Sequence, residues 1–136
     1  RIITNSFYIF EQYKGNKNFE LILTGGAWRE KSGAFIGEIT DRILSEIKVD
    51  KSFIGANGIK DNNVTNSNKE EASLQEIIMK NSQKNYVLID SNKFDLKDLY
   101  TFYPTDKIDG IITDSRLNPN IKKKYEKYTK VINTFK

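Results

Sequence analysis

The chain has 136 residues, 38% hydrophobic and 29% charged, with 22 Lys and Arg against 18 Asp and Glu, a net charge of +4, and neither His nor Cys. That composition describes one soluble globular domain with one core. It excludes Ser-His-Asp hydrolysis, thiol chemistry, disulfides and nearly every transition-metal site, so any chemistry falls to carboxylates, Lys, Tyr and hydroxyls and no metal or cofactor is expected.

Apolar runs of strand length alternate with stretches of helical period, without a linker or an internal repeat. The chain starts at Arg1 with no initiator Met and runs directly into Ile2 and Ile3, which suggests a domain excised from a longer protein. The first strand is expected at 2–4, followed by a helix over 6–14 that puts Ile9, Phe10 and Tyr13 on one face. A second strand is expected at 19–23, then a helix over 37–48 carrying Ile39, Ile43, Leu44 and Ile47 together. Strand 52–56 comes next, and the Asn-rich stretch 60–67 reads as a surface loop. A helix over 68–83 aligns Leu74, Ile77 and Ile78, and strand 86–89 succeeds it. Segment 94–104 fits either a helix, through Leu96, Leu99, Phe102 and Tyr103, or an extended edge at Tyr100 to Tyr103. Strand 109–113, a last helix opened by Asn118 as N-cap and Pro119 in its first turn, and strand 130–134 complete the chain. Continuous apolar strands separated by helices predict an α/β fold, a mostly parallel sheet covered by helices on both faces.

The basic charge is local. Six Lys and one Glu lie between Lys122 and Lys136, which leaves residues 1–121 at −1. Lys122, Lys123, Lys124 and Lys127 surround an apolar stripe of Ile121, Tyr125 and Tyr128, the pattern of a solvated helix face rather than a nucleic-acid patch. With no membrane-length apolar run and no signal peptide, a cytoplasmic protein is expected.

The informative feature lies just past the end of each strand. The chain reads Thr4-Asn5-Ser6, Thr24-Gly25-Gly26, Asn57-Gly58, Asp90-Ser91-Asn92-Lys93 and Thr113-Asp114-Ser115 at five successive strand ends. Each cluster alone is ordinary turn or cap chemistry. In open α/β sheets, however, ligands bind outside the carboxyl ends of the strands, where backbone N–H groups and short polar side chains converge. Gly25-Gly26, with Arg29 just beyond, lets backbone approach an anion, but it lacks the spacing of a dinucleotide fingerprint and the Lys-Ser/Thr ending of a P-loop. Lys93, just past a strand end, is either a charged partner for a phosphate or one of the chain's eighteen Lys at the surface.

Together these stretches resemble the C-terminal effector-sensing domain of DeoR-type bacterial transcriptional repressors, over nearly the whole chain. The resemblance rests on Thr4-Asn5-Ser6, on Leu23-Thr24-Gly25-Gly26 with Arg29 and Gly37, and on the run from Asp50 to Ile59 that contains Gly55-Ala56-Asn57-Gly58. Glu71-Ala72, Asp90-Ser91-Asn92-Lys93-Phe94 and Ile112-Thr113-Asp114 complete it. It implies a fold similar to ribose-5-phosphate isomerase and glucosamine-6-phosphate deaminase, a phosphorylated sugar as effector, and an N-terminal winged helix-turn-helix, absent from this chain, that contacts operator DNA. It further implies a homo-oligomer, dimer or tetramer, with no membrane partner. Carried over by position, Thr4, Asn5, Ser6, Gly25, Gly26 and Arg29 line the effector site, Asn57 and Gly58 form its floor, Lys93 meets the phosphate or the sugar oxygens, and Asp90 lies beside it. Lys60, Asn63 and Asn92 depart from the family pattern at the pocket edge. The related isomerases carry Asp in the loop that reads Ala56-Asn57-Gly58-Ile59-Lys60 here, without a carboxylate. Binding without catalysis is therefore expected, with an isomerase or deaminase as the alternative. Asp90 is expected to cap its own turn and Glu71 to open a helix.

Overall fold

The structure, a computed structural model, describes residues 1–134. The chain divides into two compact units, Arg1–Ile47 and Lys48–Lys136.

In the first unit, strands β1 (Ile2–Thr4) and β2 (Leu21–Leu23) pair in parallel, joined through helix α1 (Phe7–Tyr13). Next comes a hairpin that the sequence pattern does not announce, β3 (Ala27–Arg29) against β4 (Ala34–Ile36), closed by Gly33 at a φ of 60°. Helix α2 (Glu38–Ser45) ends the unit. Its inward residues are Thr40 and Leu44, whereas Ile39, expected on the buried face, is exposed. The Thr40 hydroxyl donates to the Gly25 carbonyl at 2.7 Å, which turns that edge of the helix inward. Helix α1 buries none of its residues, so the expected stripe of Ile9, Phe10 and Tyr13 is only partly covered.

The second unit holds the main sheet, four parallel strands in the order β11-β10-β8-β5, where β5 is Val49–Gly55, β8 Ser82–Leu88, β10 Gly110–Ile112 and β11 Val131–Ile132. Helix α3 (Lys69–Lys80) and helix α4 (Pro119–Tyr125) lie in its connections. Asn68 caps α3 by accepting from the Glu71 N–H at 2.9 Å, and Glu70 and Glu71 occupy its first turn. Register puts Ile54, Val87, Ile111 and Val131 side by side, one from each strand, and all four are buried. They share one core with Ala72 and Met79 of α3 and Tyr125 of α4. Burying each such side chain contributes roughly 1.5–3 kcal/mol, so this row is a large part of what holds the sheet to its helices. The α/β class read from the sequence is the class observed.

The stretch 60–67 is not a surface loop. Strands β6 (Gly58–Lys60) and β7 (Asn63–Asn66) form a hairpin, and β9 (Tyr100–Tyr103) adds to β7 as a third antiparallel strand. The turn between β6 and β7 needs Asp61 at a φ of 50°, a conformation Asp tolerates better than most residues. Asn62 lies in the two-residue turn and Asn63 and Asn66 are the ends of β7, while Val64 and Thr65 between them are fully buried. Segment 94–104 resolves to its extended alternative at β9, and Leu96 and Leu99 stay exposed.

Candidate functional site

Because β5, β8 and β10 are parallel and Gly55, Leu88 and Ile112 stand opposite one another, the residues just beyond the three strands emerge at one level. They line a shallow, open cavity of about 350 Å³, bounded by Gly55 and Ala56 at the end of β5, by Leu88, Ile89, Asp90 and Lys93 at the end of β8, and by Ile112, Thr113 and Asp114 at the end of β10. That volume lies at the small end of ligand sites, which run from about 300 to 1,000 Å³. Its floor is apolar and its polar groups come from two strand ends.

Asp114 organises the rim. Its Oδ2 accepts from the Ser91 N–H at 2.8 Å, and its Oδ1 accepts from both the Arg116 N–H and Arg116 Nε at 3.0 Å. These bonds, the Arg116 pair foremost, hold its carboxyl well below the usual carboxylate range, and the same pairing raises the Arg116 guanidinium. The Ser91 N–H opens a 3-10 turn, Ser91–Lys93, that carries Lys93 into the cavity wall. Asp90, expected to cap this turn, makes no side-chain capping bond. The first N–H of the turn, that of Ser91, is held instead by Asp114, two residues past β10.

The other positions proposed for the site sort by unit. In the first unit, Thr4 Oγ1 accepts from the Ser6 N–H at 3.0 Å, Asn5 Nδ2 donates to the Phe35 carbonyl at 2.9 Å, and Ser6 Oγ accepts from the Ile9 N–H as the cap of α1. Gly25 and Gly26 have φ values of 67° and 127°, and a Cβ at Gly26 would stand 2.0 Å from Thr40 Oγ1. The pair is glycine because the turn and the packing of α2 demand it. Arg29 ends β3, its carbonyl accepting from the Gly33 N–H at 3.0 Å.

In the second unit, Asp90 and Lys93 come together in the cavity, but Asn57 and Gly58 are not among its lining residues. Asn57 Oδ1 accepts from the Ser67 N–H at 3.0 Å, tying its loop to the entry of α3. A Cβ at Gly58 would lie 2.3 Å from the Leu96 carbonyl oxygen, so that glycine permits a close backbone crossing. The cavity wall after β5 is formed by Gly55 and Ala56 instead. Gln75 of α3 holds this wall, donating to the Gly55 carbonyl at 2.7 Å while accepting from Asn66 Nδ2 at 2.9 Å. Gln75, Ala56 and Asp114 were legible only as members of strand-end or helix motifs, since nothing in their local sequence distinguishes a cavity wall from a turn.

Among the described residues no group of three or more His, Cys, Asp or Glu is placed to hold a metal ion, and no helix is long and apolar enough to cross a membrane. The Lys-rich end is partly used in structure. Lys124 bridges Asp95 at 2.7 Å and Asp61 at 3.2 Å, and Lys122 donates to Asn133 at 2.9 Å, while Lys136 lies outside the described residues.

Residues 1–115 match the family described as the DeoR C-terminal sensor domain. The lactose phosphotransferase system repressor of Lactococcus lactis is 33% identical over 132 residues, covering 97% of this chain and 52% of that protein. Its counterpart in Staphylococcus epidermidis is 35% identical over 133 residues, 96% of this chain and 53% of that protein. The L-fucose operon activator of Haemophilus influenzae is 32% identical over 128 residues, 93% and 51% respectively. The chain therefore spans about half the length of the curated relatives it matches.

Proposed function

Since the chain belongs to the DeoR C-terminal sensor-domain family, we propose that it is the effector-sensing domain of a transcriptional regulator of sugar catabolism and that it binds a phosphorylated sugar at the ends of β5, β8 and β10. The observation that carries this reading is the placement of Asp90 and Lys93 in one small cavity at the carboxyl edge of a parallel sheet. A carboxylate suits sugar hydroxyls and an ammonium suits an anion, and a hydrogen bond to a charged group contributes roughly 1.5–3 kcal/mol. The names of the relatives, repressors of a lactose system and an activator of a fucose operon, support sugar as the signal and leave its identity open. Contact with operator DNA falls to a winged helix-turn-helix in the part of the protein N-terminal to this domain, and a symmetric operator favours a homo-oligomer. Effector binding changes DNA affinity only by its preference for one arrangement of that oligomer, typically 5–150-fold.

The domain binds without turnover. The loop Ala56 to Lys60 offers no carboxylate, and the cavity's carboxylates are Asp90 and Asp114, the second engaged by Ser91 and Arg116. The second reading, an isomerase, rests on Asp90 alone. A thermal-shift panel of galactose 6-phosphate, tagatose 6-phosphate, fructose 6-phosphate and ribose 5-phosphate tests the proposal. At least one raises the melting temperature, and Lys93→Ala removes most of that rise without changing the unliganded value. Stabilisation by none of them, or equal stabilisation of Lys93→Ala, refutes the assignment. Conversion of any of the four to its aldose or ketose isomer establishes the enzyme instead.

A further inference from the structure

Side chains alternate along a strand, so the register of the main sheet sorts its residues onto two faces. One face carries Ile54, Val87, Ile111 and Val131 and shares its core with α3 and α4. The opposite face carries Phe53 beside Tyr86 beside Gly110 in one row, and Gly55, Leu88, Ile112 and Ile132 in the next. None of its apolar side chains belongs to that core: Phe53 is 59% and Leu88 43% exposed, and Tyr86, Ile112 and Ile132 are half-buried. The Phe53 and Tyr86 rings stack at 5.5 Å with their planes 16° apart, and the Tyr86 ring lies across Gly110, where a Cβ would stand 3.2 Å from it. The result is a flat apolar shelf over β5, β8 and β10, bordered toward the strand starts by Lys51 opposite Lys84, both exposed. Parallel sheets occur almost only with both faces covered.

Size and tethering decide what covers this one. An interface between separate molecules engages about 20–30 residues a side, whereas the shelf offers only a handful of apolar side chains. A segment of the same polypeptide needs far less contact, because linkage replaces the cost of association with a high effective concentration. The relatives contain such protein: the matched stretch is 52–53% of each, and the family it matches is a C-terminal domain, so a comparable length precedes it. We propose that an amphipathic helix from the part of the protein that precedes Arg1 docks on this shelf. Its apolar stripe covers Phe53, Tyr86, Leu88, Ile112 and Ile132, and acidic residues at one end meet Lys51 and Lys84. The proposal rests on the family assignment and is independent of which ligand the cavity takes. Leu88 and Ile112 also line the cavity, so the docked helix borders it and brings the effector site into contact with the segment that leads toward the DNA-binding part.

Photocrosslinking of the intact protein, upstream residues included, tests this. With p-benzoylphenylalanine introduced at Phe53, illumination joins that position to residues N-terminal to Arg1 within one polypeptide, read by peptide mapping of the band of monomer mass. The same group introduced separately at Lys84, on the rim of the shelf, gives the same product and keeps the test readable if a label at Phe53 itself displaces the helix. Introduced at Leu99, which is 77% exposed and lies outside the shelf, it gives none. Lys51→Glu combined with Lys84→Glu lowers the yield from Phe53, because the rim then repels an acidic helix end. Products that join Phe53 or Lys84 to a second polypeptide, or only to residues 1–136, overturn the proposal, as does the absence of product from both positions or an equal yield from Leu99. An undiminished yield in the double Glu variant overturns the acidic end of the helix.

Discussion

Asn85 sits 4% exposed in the middle of β8, its side chain bonded in two directions. Its carbonyl oxygen accepts from the Ser52 hydroxyl on β5, and its amide donates to the Met79 carbonyl at the end of α3 at 3.0 Å. One side chain thus sets the register of two strands and seats a helix end. Asn85→Ala removes the partner of the buried Ser52 hydroxyl and the side-chain bond to the Met79 carbonyl and is expected to cost about 1–3 kcal/mol in urea unfolding. Adding Ser52→Ala to that variant costs little more, because the bond is already gone. The same logic separates what was legible at the site from what was not. Asp90 and Lys93 stand out in the sequence as polar residues past a strand end, and both line the cavity. Local rules assign Asp90 the cap of its own turn, but its side chain makes no such bond, and the Ser91 N–H is met by Asp114 from the segment that follows β10.

At the scale of elements, the antiparallel sheet and α4 are tied by a cluster that no period in the sequence reveals. Tyr125 is fully buried, and its hydroxyl donates to Asp95 at 2.7 Å, lies 3.1 Å from the Ile59 carbonyl oxygen, and accepts from the Asp61 N–H at 3.2 Å. Lys124 joins Asp95 and Asp61 from the preceding position. Asp61 and Asp95 are the two non-glycine residues with positive φ among those described, so α4 clamps the two turns that hold them. Hydrogen bonds from Lys124 and then Tyr125 lower the Asp95 pKa below 3.8, and burial, with Asp95 next, pushes the Tyr125 hydroxyl up to about 12. A depressed carboxylate contributes stability above its unfolded pKa and loses it as pH falls through the folded value; a raised phenol contributes below 10 and loses it as pH climbs to about 12. In urea titrations wild type is therefore more stable than Asp95→Asn at pH 7, and the gap closes as pH falls below about 4. An unchanged gap at about pH 3 contradicts the clamp. Gly58→Ala, which drives a Cβ against the Leu96 carbonyl, destabilises the same sheet by about 1–3 kcal/mol in the same measurement.

For the whole molecule, the two units differ in how much they bury. Lys48–Lys136 contains the shared core of Ile54, Val87, Ile111, Val131 and Tyr125, whereas in Arg1–Ile47 α1 buries nothing and β1 and β2 are only partly covered. Amide hydrogen exchange is expected to be slowest in β8 and the adjoining half of β5 and markedly faster in α1 and β1. Equal protection of α1 and β8 contradicts this ranking. By itself the sequence determined the α/β class, the helices α1 to α4, the cap Asn118, and the polar clusters at strand ends, because period, propensity and capping are local properties that a linear reading captures. Tertiary structure decided the rest. It made strands of the Asn-rich 63–66 stretch by burying Val64 and Thr65, drew the cavity wall at Gly55 and Ala56 rather than Asn57 and Gly58, and set Asp114 against the Ser91 N–H of the turn after β8. Each of those outcomes depends on which residues meet across neighbouring strands, and register between distant segments is written in the packing of the chain rather than in any window of it.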